Sequence, residues 1–201
     1  AEGARVVGCD VNAETAQETC NLVTRAGGEM ISIHPLDLSS EDGAKRLVDA
    51  ALDRFGRIDV LYNNGAGGAF AWLADMTSEQ WLYTMRNELD IVFFAVKAVW
   101  PHMLAAGGGS IINVGSVSGK IAYKVLPGVA HSTGKGGVIA MTKHLAMEGG
   151  PHLIRVNSIS PGLVLNNDTR AMLEMPEWSG PMLDKLMIRR PGEPEDIIPA
   201  A

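Results

Sequence analysis

Three residues whose side chains can exchange protons stand in the second half of the chain. His131 and Lys135 are four residues apart in a segment of helical spacing, which places them on one face of a helix. A lysine ammonium stabilises the neutral or anionic form of a titrating neighbour. Ser116 lies just past the apolar segment Ser110–Val114. These residues are candidates for acid–base chemistry, although a surface His/Lys pair and an ordinary loop serine remain open interpretations.

Two carboxylates and a glycine-rich loop could contact a nucleotide. Asp10 ends an apolar segment, where a carboxylate can accept hydrogen bonds from ribose hydroxyls and would repel a 2′-phosphate. Asp37 lies past the next apolar segment, where it could accept a hydrogen bond from an adenine amino group. Either residue could instead cap a turn or a helix. The loop Asn63–Gly68 contains glycines, which let backbone approach a ligand closely.

The composition is that of a globular domain and argues against several kinds of partner. Apolar residues make up 46% of the 201 residues, and the net charge of −6 gives no general attraction to nucleic acid. No apolar run reaches the ~18 residues of a membrane span, and no secretory signal is predicted. Cys9 and Cys20 lack the spacing of a zinc site, so we expect free thiols, no metal and a cytoplasmic location.

Short apolar segments alternate with segments of helical spacing, which predicts an α/β fold with a parallel sheet. The predicted strands are Arg5–Asp10, Glu29–His34, Ile58–Tyr62, Ser110–Val114 and Ile154–Ile159. Four main helices are predicted, from Asn12 to Ala26, from Ser39 or Ser40 to Phe55, from Thr77 or Ser78 to Ala105, and from Gly128 to Glu148. Pro101 is expected to kink or interrupt the third of them. One or two short helices are predicted within 168–190, and a last helix at Glu195–Ala201.

This order predicts one domain over residues 1–201, with a doubly wound, Rossmann-like parallel sheet and helices on both faces. In such sheets ligands bind beyond the carboxyl ends of the strands. The residues at those ends are Asp10, Asp37, Asn63–Gly68, Gly115–Ser118 and Pro161–Asn166. Most of the candidate residues are therefore expected at one edge of the sheet.

Taken in order, several segments resemble the short-chain dehydrogenase/reductase family over almost the whole chain. Ala1–Asn12 resembles the end of the family's first helix and its second strand, and HPLDL the segment with the adenine-contacting Asp. RIDVLYNNGAGG resembles the strand and loop usually written NNAG, and SIINVGSVSG the segment with the catalytic Ser. AHSTGKGGVIAMTKHLAMEGGPHLIRVNSISPG resembles the region of the YxxxK motif, and RRPGEPEDIIPAA the RxGxPEDIA segment.

The resemblance implies an NAD-dependent alcohol dehydrogenase or carbonyl reductase for a small or medium apolar alcohol or ketone. In that family a Tyr exchanges a proton with the substrate while hydride passes to or from nicotinamide. A Lys lowers the Tyr pKa and binds the nicotinamide ribose, a Ser binds the substrate oxygen, and an Asn holds a water. The implied catalytic residues are Ser116, His131, Lys135 and Glu88. The implied cofactor contacts are Asp10, which favours NAD over NADP, and Asp37, Leu38, Asn63, Asn64, Gly65, Lys135, Pro161, Gly162 and Val164.

The sequence departs from the family pattern at four places. Alignment on Lys135 puts His131 at the Tyr position, and counting back from Pro101 puts Glu88 rather than Asn87 at the Asn position. NNAG is replaced by NNGA. The first strand with its TGxxxGxG phosphate loop and the last strand have no counterpart. We therefore expect a fragment of a longer gene product, with a gap or exposed edge in the sheet and a weakened pyrophosphate site. Alternatively, the fold has rearranged to do without the missing loop.

A histidine can take over the role of the tyrosine, because imidazole, with an ordinary pKa of about 6.5, suits general acid–base catalysis near neutrality. Lys135 would keep His131 neutral, and Glu88 could orient its ring. Alternatively, His131 marks a family member with lost or altered redox activity. That protein would be a binding or scaffold protein, or a non-redox enzyme using Ser116 and His131, although no GxSxG elbow is present.

Two further expectations concern the surface of the domain. Residues 163–192 include a Met- and Leu-rich stretch and are predicted to form a substrate lid. By resemblance, the two long helices predict a homodimer or homotetramer, and small residues such as Gly134 and Ala140 would permit close helix approach.

Overall fold

The computed structural model describes residues 3–200 and confirms the parallel α/β architecture predicted from the sequence. Ala1, Glu2 and Ala201, which belong to the predicted segments Ala1–Asn12 and Glu195–Ala201, lie outside the described residues. The strands are β1 (Arg5–Cys9), β2 (Glu29–Ile33), β3 (Val60–Asn63), β4 (Gly109–Val114) and β5 (Ile154–Ile159), and all their pairings are parallel. The predicted strand positions are confirmed to within about two residues at each end.

The helices begin where the sequence places polar capping residues. Asn12, Ser40 and Thr77 each accept hydrogen bonds from backbone N–H groups in the first turn that follows them. The α-helices are α1 (Ala13–Arg25), α2 (Glu41–Phe55), α3 (Ser78–Met85), α4 (Ile91–Ala106), α5 (Val129–Gly149), α6 (Asn167–Leu173) and α7 (Pro176–Leu183).

The strands form two sheets, which agrees with the gap or exposed edge expected from the sequence. β1 pairs with β2, and a second sheet has the order β3–β4–β5. Arg5 and Val7 of β1 and Val60 of β3 line opposite sides of a cleft of about 320 Å³. The gap predicted from the sequence therefore lies between β1 and β3, whose edges share no ladder hydrogen bond within residues 3–200. Helix α2 holds the two parts together, because it packs on both β1 and α4.

A single helical stretch, Ser78–Ala106, joins α3, a π-helical segment at Arg86–Asp90 and α4. The sequence did not predict the π-helical segment. Pro101 lies inside α4 but does not interrupt it, because burial of Val99 and Met103 on either side outweighs the lost backbone hydrogen bond.

The stretch Ser78–Ala106 is also long and apolar enough to cross a membrane by length and composition alone. In the structure this stretch contributes buried side chains to the hydrophobic core. Val92, Val96, Val99 and Met103 are buried in the same cluster as strand and α5 side chains, which are Ile111, Val138, Ile154 and Val156. This cluster fixes the sheet β3–β4–β5 against α4 and α5.

The last predicted helix, at Glu195–Ala201, is replaced by two short 3-10 turns, Pro194–Asp196 and Ile198–Ala200. Pro199 explains the difference, since it has no N–H to donate and disfavours helical backbone at the residue before it. The two turns therefore replace a continuous α-helix in the described part of this segment.

Candidate active site

A cavity of about 520 Å³ opens at the carboxyl ends of β4 and β5. Ser116, His131 and Lys135 all line it, together with Asn64 from the end of β3. Pro161, Gly162 and Val164, which follow β5, line it as well. The structure thus brings together seven of the residues singled out in the sequence, at the sheet edge where ligands of parallel α/β folds bind.

Glu88 contacts His131 directly. Nδ1 of His131 lies 2.7 Å from Oε1 of Glu88, and the two side chains are 16% and 3% exposed. Glu88 belongs to the π-helical segment, which packs on α5. A Cβ atom at Gly68 or Gly134 would lie about 3.0 or 3.1 Å from a Glu88 carboxylate oxygen. These two glycines therefore leave the space in which the buried carboxylate sits.

The Glu88 contact selects one tautomer of His131. A carboxylate only accepts hydrogen bonds, so Nδ1 donates and Nε2 retains its lone pair. Oε2 of Glu88 is buried and has no hydrogen-bond partner within residues 3–200. The arrangement leaves Nε2 as the imidazole atom that can accept a proton from a ligand.

Lys135 is buried one helical turn after His131. Its Nζ donates a hydrogen bond of 3.0 Å to the carbonyl oxygen of Val114 at the end of β4. Burial lowers the pKa of Lys135, and the negative charge of Glu88 opposes that shift. His131 therefore has the Glu88 carboxylate in direct contact and the Lys135 ammonium one helical turn away.

Ser116 begins the 3-10 turn Val117–Gly119. Its Oγ accepts a hydrogen bond of 3.1 Å from the Ser118 N–H. That contact uses a lone pair, so the Ser116 O–H can still donate to a ligand oxygen.

Sequence reasoning missed a buried polar network beneath the cavity. The Asn63 side chain donates to Oδ1 of Asn113 at 2.8 Å, and Asn113 donates to Oγ1 of Thr142 at 3.0 Å. Asn113 and Thr142 are buried, which makes unpaired amide or hydroxyl groups there costly. The network fixes the ends of β3 and β4 against α5. A polar Asn inside the apolar segment SIINV was the available signal.

The walls of the cavity also include apolar residues that sequence reasoning did not select. The ring centroid of Phe70 lies 5.4 Å from that of His131. Tyr123, Leu163, Trp178 and Met182 form a second buried cluster between the loop after β4 and helix α7. All four side chains line the cavity, so the cluster gives part of its wall an apolar surface.

Residues 163–192 contribute side chains to the cavity lining and form a segment whose two ends are held together. Val164 bridges to Gly192 in a parallel arrangement, and Gly192 N–H donates to the Leu163 carbonyl oxygen at 2.8 Å. The middle of the segment forms α6 and α7, and Trp178 and Met182 of α7 line the cavity.

A second cleft, of about 280 Å³, lies at the carboxyl ends of β1 and β3. Asp10, Leu38, Asn63, Asn64 and Gly65 line it, and Asn64 also lines the first cavity. The two spaces therefore adjoin at Asn64, and together they lie along the carboxyl ends of the strands.

Asp10 and Asp37 have local partners as well. Asp10 accepts hydrogen bonds from Asn12 N–H at 2.8 Å and from Thr15 Oγ1 at 3.4 Å, and it still lines the cleft. Asp37 accepts from both the N–H and the Oγ of Ser39. Asp37 therefore stabilises the turn at Ser39, which is the alternative role considered for it in the sequence.

The residues present fit a nicotinamide dinucleotide. The adjoining spaces provide an elongated site, with the Asp10 carboxylate at one end and Lys135 with His131 at the other. Leu38, Asn64 and Gly65 would contact the adenosine half, and Pro161, Gly162 and Val164 the nicotinamide half. The Gly65 backbone is accessible in the cleft, since a Cβ there would meet only Ile91 within 4 Å.

Comparison with known proteins gives a consistent result. The family described as enoyl-(acyl carrier protein) reductase matches residues 1–201. Glucose 1-dehydrogenase 2 of Bacillus subtilis (strain 168) is 33% identical over 188 residues, which cover 92% of this chain and 71% of that protein.

Solved structures show the same similarity. A 7α-hydroxysteroid dehydrogenase in complex with NADH and 7-oxo glycochenodeoxycholic acid superposes with a TM-score of 0.90 at 29% identity, covering 98% of this chain and 76% of that one. NAD⁺-bound xylitol dehydrogenase superposes with a TM-score of 0.91 at 28% identity, covering 99% and 81%.

Proposed function

Because the chain belongs to the short-chain dehydrogenase/reductase family, we propose that it is an NAD-dependent oxidoreductase. Its reaction is hydride transfer between nicotinamide and an alcohol or ketone. The observation that supports this proposal most strongly is the Glu88–His131 pair in one cavity with Ser116 and Lys135.

His131 is the proton acceptor in alcohol oxidation. The Ser116 O–H donates to the substrate oxygen, and Nε2 of His131 removes the hydroxyl proton. The carbon that bears this hydroxyl would lose a hydride with both bonding electrons, and hydride acceptance is the chemistry that NAD⁺ would supply when bound beside Lys135, Pro161 and Gly162. Ketone reduction is the reverse, in which Nε2 returns the proton to the oxygen.

Glu88 and Lys135 have different roles beside His131. Glu88 orients the ring through Nδ1 and stabilises the imidazolium that forms when Nε2 takes a proton. Lys135 would bind the nicotinamide ribose, which is the role that the family resemblance implies for it.

Tyr123 does not supply the missing family tyrosine. Burial raises the pKa of Tyr123, and its ring packs under Nζ of Lys185 at 4.9 Å. A phenol with a raised pKa is a poor proton acceptor at neutral pH. His131 is the better base in this cavity.

The choice of NAD over NADP rests on Asp10. Its carboxylate lines the cleft where an adenosine ribose would lie and would repel a 2′-phosphate. The NADH-bound and NAD⁺-bound relatives support the same choice. Residues 163–192 serve as the substrate lid in this proposal, and α4 and α5 form the interface of a homodimer or homotetramer.

The test is direct binding of NADH and NADPH to the purified protein, followed by an assay of alcohol-dependent NADH formation. We expect NADH to bind more tightly than NADPH, and Asp10→Ala to reduce that preference. An absence of binding to either dinucleotide would favour the alternative of a family member that has become a binding or scaffold protein.

A further inference from the structure

We propose that the substrate is amphipathic: a ketone or alcohol with a long apolar body and an anionic end. Its reacting oxygen lies at Ser116 and His131, its body lies along a surface groove beside the cavity, and its anionic end meets Lys120. This inference rests on the proposed function, whose site it extends.

The groove adjoins the active-site cavity. It has a volume of about 640 Å³, and Tyr123, Leu126 and Pro127 line both spaces. A ligand that begins at His131 can therefore continue past these shared side chains into the groove. The cavity must also hold the nicotinamide half of the cofactor, so the groove, which alone has the size of a drug-sized ligand site, is the space into which a larger substrate can extend.

The groove exposes large apolar side chains. Trp72 is 55% and Leu73 77% exposed, and Ile121 and Val129 beside them are exposed as well. The bridge between Ala71 and Gly128 holds the two loops together. Neighbouring exposed apolar groups of this kind mark binding surfaces, since covering them removes apolar area from water.

The charge of the groove is positive. Within residues 3–200, Lys120 is the ionised side chain that lines it, and no carboxylate does. Lys185 lies close by, with its Nζ on the Ala122 carbonyl oxygen at 2.8 Å and over the Tyr123 ring. A negative group on the ligand would therefore meet attraction and no opposing charge.

A polyol fits these walls poorly. Oδ1 of Asn166 accepts from Thr169 N–H, and the Thr169 hydroxyl donates to the Val164 carbonyl oxygen, so this acceptor and this hydroxyl are engaged within the lid. Phe70 and Leu163 offer no hydrogen-bond partner to a polyol, and the Trp178 indole N–H, which has no partner within residues 3–200, could serve one hydroxyl group at most. Unpaired hydroxyl groups lose binding free energy, whereas methylene groups gain it.

The test uses methyl-ketone acids of increasing length, from levulinate to 9-oxodecanoate, with methyl 9-oxodecanoate as the uncharged analogue and D-xylulose as the polyol. Binding to the purified protein is measured by calorimetry, with and without NADH. We expect the dissociation constant to fall by roughly threefold for each added methylene that enters the groove, with D-xylulose binding most weakly.

Three variants separate the parts of the ligand. Lys120→Ala should weaken 9-oxodecanoate by about threefold and leave its methyl ester unchanged. Trp72→Ser should weaken both, since it removes apolar contact. Lys143→Ala, an exposed lysine on α5 away from the groove, is the matched control and should change neither. Circular dichroism of each variant verifies the fold.

The inference is overturned if affinity does not depend on chain length, if D-xylulose binds more tightly, or if Lys120→Ala weakens acid and ester alike. It is also overturned if Trp72→Ser dissociates an oligomer, because the groove is then an interface between copies. Binding that follows chain length without any hydride transfer would leave this inference standing and contradict the oxidoreductase. Hydride transfer without chain-length dependence would contradict this inference and leave the oxidoreductase proposal standing.

Discussion

Nδ1 of His131 lies 2.7 Å from Oε1 of Glu88, a buried carboxylate 43 residues earlier in the chain. The contact joins a buried carboxylate of the π-helical segment to a histidine of α5. The glutamate therefore gives the imidazole an acceptor that orients its ring.

Glu88→Gln is expected to lower kcat about 10- to 100-fold with little change in KM, because the amide cannot stabilise an imidazolium as a carboxylate does. Stopped-flow measurement of NADH formation gives kcat. The exposed Glu14→Gln on α1 is a matched control. Wild-type kcat in Glu88→Gln would show that the carboxylate only fills space.

Lys135→Met should abolish turnover while leaving the free energy of unfolding at pH 7 equal to that of the wild type or higher by about 1 kcal/mol. Burial lowers the pKa of Lys135, so the folded state binds this proton less tightly than the unfolded state. Below the pKa that Lys135 has in the folded state, the buried cation lowers the free energy of unfolding by its full amount. As pH rises from there toward 10.5, the folded state loses this proton first, so the wild type becomes more stable.

The gain from Lys135→Met should accordingly shrink as pH rises toward 10.5. Urea denaturation at several pH values measures it. A gain that grows with pH would contradict the assigned direction of the pKa shift.

Much of this arrangement was predictable from local sequence. Asn12, Ser40 and Thr77 are caps because their side chains accept from the following N–H groups, and that chemistry is visible in the sequence. Ser116 and Lys135 fall at a strand end and on a helix, where the fold brings them into one cavity.

Other features depend on long-range packing and could not be predicted locally. The π-helical segment Arg86–Asp90, which turns Glu88 inward and leaves Asn87 bonded to the Tyr83 carbonyl oxygen, has no sequence signature of its own. The apolar cluster around Trp178 likewise depends on contacts between distant segments.

Cys9 should react slowly with iodoacetamide at pH 8. Burial and the neighbouring Asp10 charge raise the pKa of its thiol to about 11, and the thiolate is the reactive form. Cys20→Ser isolates the Cys9 reaction, whose rate should rise with pH through about 11. A rate that levels off near pH 9 would contradict this environment.

The same shift affects stability. Because folding raises the pKa of the Cys9 thiol from 9.0 to about 11, the folded state binds this proton more tightly than the unfolded state. The resulting contribution to the free energy of unfolding is fully present below pH 9 and is lost as pH rises toward 11. Cys9→Ala should therefore lose less stability than the wild type between those pH values, as measured by urea denaturation.

Phe93→Arg is expected to convert an oligomer to monomers. Phe93 is exposed beside a groove of about 380 Å³ between α4 and α5, which Trp100, Met141 and Leu145 also line. An arginine there would remove the aromatic contact and place a cation beside the apolar side chains of the proposed interface. Light scattering after gel filtration measures the mass, and Leu22→Arg on the exposed face of α1 is the control. An unchanged mass in Phe93→Arg would place the interface elsewhere.

The role of His131 as proton acceptor is tested most directly by kcat/KM for NAD⁺-dependent alcohol oxidation in His131→Ala. We predict a loss of about 10²- to 10⁴-fold, partial recovery on addition of free imidazole, and unchanged NADH binding. Turnover at the wild-type rate in His131→Ala would contradict the account and make His131 a bystander in the cavity.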